Sequence, residues 1–170
     1  MVVCRECRIS WGVDDRPLCH DINHTHGEYE VHRHSSEVEL PDGTRITAVS
    51  FHEAAPYERE AIPDFGLYLD HRWQPPWSHA HVDWPDFAVP ADGAALRVAL
   101  VDLLERGRAG QRIEMGCLGA HGRTGTALAC LGVLAGVRPD RAVDWVRSNY
   151  CARAVETPQQ EEFVGIFGPA

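Results

Sequence analysis

The order of elements along this chain predicts an α/β fold: a mostly parallel central sheet flanked by helices, with an N-terminal β-hairpin extension. Three observations carry the prediction. From residue 64 onward, short strand-like apolar runs alternate with helical ones, the order that builds a parallel sheet covered by helices. Before them, two segments of alternating polarity flank Pro41-Asp42-Gly43-Thr44, a hairpin signature. Near the end, a glycine-rich loop joins a short strand to a mostly apolar helix. The 170 residues are the size of one domain able to bury a core. Residues 1–50 hold a Cys/His-rich segment and the hairpin, and residues 64–170 the core.

The elements follow in order. Residues 37–40 and 45–49 are the hairpin strands. Residues 65–69 and 79–82 are apolar strands. A helix spans 92–106, with Asp92 as N-cap and Gly107 as its stop. Residues 111–115 form the strand that enters the glycine-rich loop, and 124–135 the buried helix that leaves it. Arg138-Pro139-Asp140 opens a helix over 141–150. Pro158, in the first turn, opens a last one to Phe167. Between the second core strand and the first lies a segment, 70–77, in which Trp73 and Trp77 either pack the loop onto the core or offer rings to an aromatic ligand.

Composition narrows the function. The net charge is −9, and all sixteen cationic residues are arginine. With no basic stretch to release counterions, nucleic acid is not an expected partner. No apolar run reaches about 20 residues, so no membrane span is expected, and the first residues lack the apolar core of a secretory signal.

The stretch from Gly116 to Gly125 carries the chemistry. Cys117 stands six residues before Arg123, Thr124 follows, and Leu118, Gly119, Ala120, His121 and Gly122 lie between. At a strand–loop–helix junction, free N–H groups and the positive helix end favour an anion. Successive loop amides form a nest for phosphate oxygens, and Gly119 and Gly122 are expected to supply the positive φ values it needs. Arg123 can clamp two oxygens with its planar fork. The same field favours a thiolate, the nucleophilic form of cysteine. Thr124 can donate to the sulfur when it leaves. Cys130, inside the apolar helix, reads as a core residue. A reactive thiolate needs a reducing compartment, which points to the cytoplasm.

A thiolate that attacks a phosphate ester expels a poor leaving group, which a carboxylic acid can protonate. Asp86, in Val82-Asp83-Trp84-Pro85-Asp86, is the candidate acid and later the base on water, with Asp83 next in line. Proline and tryptophan beside it suit a flap that closes over the site.

With Trp84-Pro85-Asp86 and Cys117 through Thr124 together, the chain resembles the cysteine-dependent protein tyrosine phosphatase superfamily, in its compact dual-specificity-like branch. The resemblance runs from about Asp64 to Phe163. It implies a phosphatase that works through a phosphocysteine, without a cofactor, on phosphotyrosine or a related phosphoprotein. A small phosphate ester, such as a nucleotide, is an alternative substrate, and a phosphate-binding module with little turnover an alternative role. Glu156-Thr157-Pro158-Gln159-Gln160-Glu161-Glu162-Phe163 resembles the segment that positions the hydrolytic water. Gln160 and Phe163 fit, but Glu156 replaces the leading glutamine. Gly116 stands where the family usually has histidine, and no segment matches the phosphotyrosine-gripping motif of the larger branch.

The first 35 residues contain Cys4, Cys7 and Cys19 with His20, His24, His26, His32 and His34. Cys4-x-x-Cys7 with Cys19 and His20 or His24 is compatible with a structural, tetrahedral zinc site. Reduced cysteines on a strand and solvated histidines are the competing reading. If zinc is held there, elemental analysis of purified protein returns about one zinc per chain; well under half of that removes the idea.

Overall fold

The strand that ends at Cys117 lies in the middle of a five-stranded sheet. The computed structural model describes residues 2–3, 10–11, 36–51 and 57–168. The chain divides into two compact units, Met1–Arg33 and His34–Ala170. The first contains a short antiparallel pair, β1 (Val2–Val3) and β2 (Ser10–Trp11). Cys4, Cys7, Cys19 and His20 lie outside the described residues. Among the described residues no group of histidine, cysteine and acidic side chains is arranged to hold a metal.

In the second unit the strands are β3 (Ser36–Glu39), β4 (Arg45–Ser50), β5 (Phe65–Tyr68), β6 (His79–His81) and β7 (Ile113–Cys117), in spatial order β3-β4-β7-β5-β6. β3 and β4 form the expected antiparallel hairpin, with Glu37 opposite Thr47. All other pairings are parallel. The hairpin therefore enters the core sheet through β4, which pairs directly with β7. The chain moves outward through β5 and β6, and α1 (Gly93–Arg108) carries it back so that β7 inserts between β4 and β5. The C-terminal ends of such parallel strands are where open α/β sheets bind ligands.

α2 (Gly122–Leu134) follows the loop and is buried along its whole length, as its apolar sequence predicts. It packs against β7, α1, α3 (Pro139–Asn149) and α4 (Pro158–Ile166). Asp92 caps α1 by accepting from Ala95 N at 2.9 Å. The helix does not stop at Gly107, as expected, but runs through it to Arg108, and the left-handed residue is Gly110 at φ 83°. Gly107 is instead a contact point: a Cβ there would meet Thr44 Cγ2 and Ile113 Cδ1.

β7 is buried on both faces. Ile113, Met115 and Cys117 point into the helical side of the core. Glu114 points the other way and is also buried. There Arg59 holds it with Nε at 2.6 Å and Nη2 at 3.0 Å, and Tyr68 donates its hydroxyl at 2.8 Å. Trp77 Nε1 donates to Tyr68 in turn at 2.6 Å. Burial, then the charge of Glu114, pushes the Tyr68 hydroxyl well above its ordinary range. Over this face Trp73 stacks on Phe51, with ring centroids 3.8 Å apart. Trp73 and Trp77 therefore pack the 70–77 segment onto the sheet.

Arg59 is the sole cation bonded to Glu114 among the described residues. Its removal leaves a buried carboxylate with only a phenol donor. Arg59→Ala is expected to lower stability by about 3 kcal/mol, measured by urea unfolding; a loss below about 1 kcal/mol would contradict this account.

Candidate active site

The site is built where β7 ends. After Cys117 the chain turns through residues 118–121 and enters α2. The carbonyls of this turn point outward onto protein donors. Leu118 O accepts from Ser50 Oγ at 2.7 Å and Phe51 N at 3.1 Å. Ala120 O accepts from Tyr150 Oη at 2.6 Å. His121 O accepts from Gly125 N at 3.0 Å and Val155 N at 3.4 Å. The N–H groups of Leu118, Gly119 and Ala120 meet no backbone acceptor among the described residues. Loop N–H groups without a backbone acceptor, next to a helix N-terminus, suit a tetrahedral oxyanion.

The turn differs from expectation in one detail. Positive φ falls on Ala120, at 56°, and not on Gly119 or Gly122. Gly122 is needed for closeness: a Cβ there would collide with Glu156 Oε2 and lie 3.2 Å from Gln160 Nε2. Ala120 is fully buried and its carbonyl is held by Tyr150, so tertiary contacts impose the left-handed backbone.

Cys117 is buried, and Thr124 Oγ1 donates to its Sγ at 3.0 Å. Cys130 is a core thiol whose ionisation is pushed well above the ordinary range by burial. Gly116, on the opposite face of β7, has no space for a side chain. A Cβ there would meet Val49 O and Val49 Cγ2, at 2.5 and 2.6 Å, with the Phe51 ring at 3.1 Å. Ser50 Oγ and Phe51 N hold the turn beside it.

Arg123 is 3% exposed. Its Nη1 donates to Trp84 O at 2.9 Å, Leu69 O at 3.2 Å and Asp70 Oδ2 at 3.3 Å. Nη2 lies 3.4 Å from Asp86 Oδ1, while Nε is buried without a hydrogen-bond partner. One end of the guanidinium is thus anchored by three acceptors, and the Nε edge retains a donor for another anion.

Asp70 does not figure in the sequence reading. It is buried and also takes two bonds from Arg72, Nε at 2.9 Å and Nη2 at 2.6 Å. These bonds, with the charges of Arg72 and Arg123, hold its carboxyl well below the usual range despite burial. The signal for it was an acid at the end of the apolar run Phe65-Gly66-Leu67-Tyr68-Leu69, at the C-terminal edge of a parallel strand.

The acid loop is tied from both sides. Trp84 is buried, its ring edge meets Phe163, and its Nε1 donates to Ala88 O at 2.8 Å. Gln160, fully buried, donates to the same carbonyl at 3.1 Å. Asp86 is thereby set over Arg123 with its carboxylate partly exposed. Asp83 points elsewhere, to His71 at 3.3 Å, with both side chains largely exposed. Glu156 is an exposed residue overall, but its carboxylate end reaches the Gly122 amide. Burial of that end, then the charge of Asp86, raises its pKa. His121 lies at the α2 N-terminus with Nδ1 3.6 Å from Cys151 Sγ.

The structure thus brings together Cys117, Leu118, Gly119, Ala120, His121, Gly122, Arg123, Thr124, Asp86 and Gln160. If Gly116 is required by packing, Gly116→His should lose about 2 kcal/mol of stability in thermal unfolding. A variant as stable as the parent would show that Val49 and Phe51 yield.

No family model matches the chain. Two uncharacterised proteins of Methanocaldococcus jannaschii are 49% and 46% identical over 55 and 54 residues, 32% of this chain in each case. The matches span about a third of those relatives, 36% and 33% of their lengths. Among solved structures, Tk-PTP in its active form is 23% identical with a TM-score of 0.60, covering 76% of this chain and 95% of that one. Kinase-associated phosphatase with its catalytic cysteine replaced by serine is 14% identical with a TM-score of 0.62, covering 78% and 92%. A mouse protein described as a dual-specificity phosphatase, crystallised with zinc tungstate, is 15% identical with a TM-score of 0.59, covering 77% and 84%. The chain has the fold of the cysteine-dependent protein tyrosine phosphatases, in its compact dual-specificity-like form.

Proposed function

We propose that this protein is a phosphatase of the cysteine-dependent superfamily, hydrolysing phosphate monoesters through a phosphocysteine. The observation that supports the reading is one strand–loop–helix unit carrying both Cys117, whose sulfur accepts from Thr124, and Arg123, whose Nη1 is anchored, whose Nη2 faces Asp86 and whose Nε is buried without a partner.

In the first step the Cys117 sulfur attacks phosphorus and the bond to the ester oxygen breaks. Asp86 gives its proton to that oxygen. In the second step water attacks phosphorus, passes a proton to Asp86, and the phosphorus–sulfur bond breaks. The electron pair returns to sulfur, where the Thr124 hydroxyl stabilises it. Arg123 and the loop amides hold the equatorial oxygens in both steps, a preorganised field that is usually the largest contribution to such catalysis. Gln160 keeps the acid loop in place. Apart from the ester and the attacking water, the two steps as written use side chains and amides of this chain. A zinc held by Cys4, Cys7, Cys19 and His20 would be structural.

The substrate class we infer is a phosphoprotein, phosphotyrosine above all. Tyrosine and dual-specificity phosphatases share the fold, and Phe87, beside Asp86, exposes its ring at the loop. Nothing favours nucleic acid as a partner in a chain of net charge −9. No helix among the described residues is long and apolar enough to cross a membrane. The thiolate chemistry suits the reducing cytoplasm.

The deciding experiment is hydrolysis of an aryl phosphate in the presence of chelator and reductant. Wild type should turn over and Cys117→Ser should not; activity that survives in the variant or vanishes with chelator removes the mechanism. Asp86→Ala should lose about 10²–10⁴ in turnover, whereas a loss under about threefold would assign the proton to another carboxyl.

A further inference from the structure

Arg72 is not needed by the two-step reaction, yet its placement is specific. It follows Asp70 by two residues, and its backbone N–H also binds Asp70 Oδ1, at 3.1 Å. Its Nη2 and the Nη1 of Arg123 meet the same oxygen, Asp70 Oδ2, so the two nitrogens lie no more than about 6 Å apart. One buried carboxylate thus serves two guanidiniums, while Asp86 faces Arg123 alone at 3.4 Å. Arg123 is buried, but the Arg72 side chain is 65% exposed. Its Nη1 has no partner among the described residues, whereas Nε and Nη2 are fixed by Asp70. Asp86 is close enough for its charge to help hold the Arg72 proton, after the larger effect of Asp70. Arg72 therefore sits near the acid loop as a preorganised, outward-facing cation.

Such a cation costs little side-chain entropy when it binds, because Asp70 has already fixed its geometry. Beside an arginine that clamps a phosphate, it can take a second anion on the same substrate. We propose that Arg72 is a specificity residue that selects phosphate monoesters bearing a second anionic group close to the phosphate. This rests on the phosphatase reading above. Two sources present that chemistry: an acidic side chain next to a phosphotyrosine, and a carboxylate on a small aryl phosphate.

The test compares kcat/KM within two substrate pairs, for wild type, Arg72→Gln and Arg72→Lys. One pair is a phosphotyrosyl peptide with glutamate or alanine flanking the phosphotyrosine. The other is phenyl phosphate with or without a ring carboxylate. Wild type should prefer the acidic member of at least one pair by about tenfold, chiefly through KM, and the preference should shrink as salt rises. Arg72→Gln should bring that ratio near one, and Arg72→Lys should keep part of it. The pair that shows the effect identifies the source. Equal losses on both members would make Arg72 a structural partner of Asp70 and overturn the proposal, as would no preference in wild type. Binding of the same pairs to Cys117→Ser, with and without Arg72→Gln, reads the selectivity without turnover. If no ester is hydrolysed, the phosphatase reading falls, and loss or retention of binding selectivity still decides the role of Arg72.

Discussion

A buried guanidinium is the constraint on which this site is organised. Taking a guanidinium charge out of water is costly unless it is paired and hydrogen-bonded. Two other segments meet that cost. Leu69 and Asp70 come from the end of β5, Trp84 and Asp86 from the acid loop, and the arginine itself from the start of α2. One side chain thereby ties the sheet, the acid loop and the phosphate-sized turn together. In the proposed reaction the same ties that neutralise Arg123 hold Asp86 where the leaving oxygen would be.

The central strand adds a second constraint. β7 is covered on both faces, so each of its residues must satisfy a packed environment. On the helical face this gives the core that fixes Cys117. On the other face it gives a buried Glu114 neutralised by Arg59 and a Gly116 hemmed in by Val49 and Phe51. Gly116 is thus accounted for by packing against Val49 and Phe51, while Ser50 Oγ and Phe51 N hold the turn. The donors come from the C-terminal end of β4, the inner strand of the hairpin, and the residue after it.

Asp70, Glu156 and Tyr150 illustrate what a reading along the chain does not reach. Each is remote in sequence from the loop it touches. Asp70 supports Arg123 across 53 positions, and Tyr150 holds Ala120 across 30. An acid, a glutamate in place of glutamine, and a tyrosine at a helix end carry no local pattern that says which backbone they will meet. The positive φ of Ala120 is of the same kind. Glycine content suggested that Gly119 and Gly122 would take it, because local propensity was the available guide. Contacts from outside the loop assigned it otherwise.

The sequence by itself determined the α/β order, the hairpin around Gly43, the buried character of α2, and the juxtaposition of Cys117, Arg123 and Thr124. These follow from periodicity, turn chemistry and fixed spacing on one strand–loop–helix unit, all of them properties within about ten residues. The tertiary structure set Asp86, the first candidate in the sequence, against Arg123, and it alone decided that Gln160 secures the acid loop through Ala88 O and that Asp70 joins Arg123 to Arg72. Those outcomes depend on which strand ends converge at one edge of the sheet. Convergence is set by the strand order β3-β4-β7-β5-β6, which is a property of the packed chain and not of any segment within it.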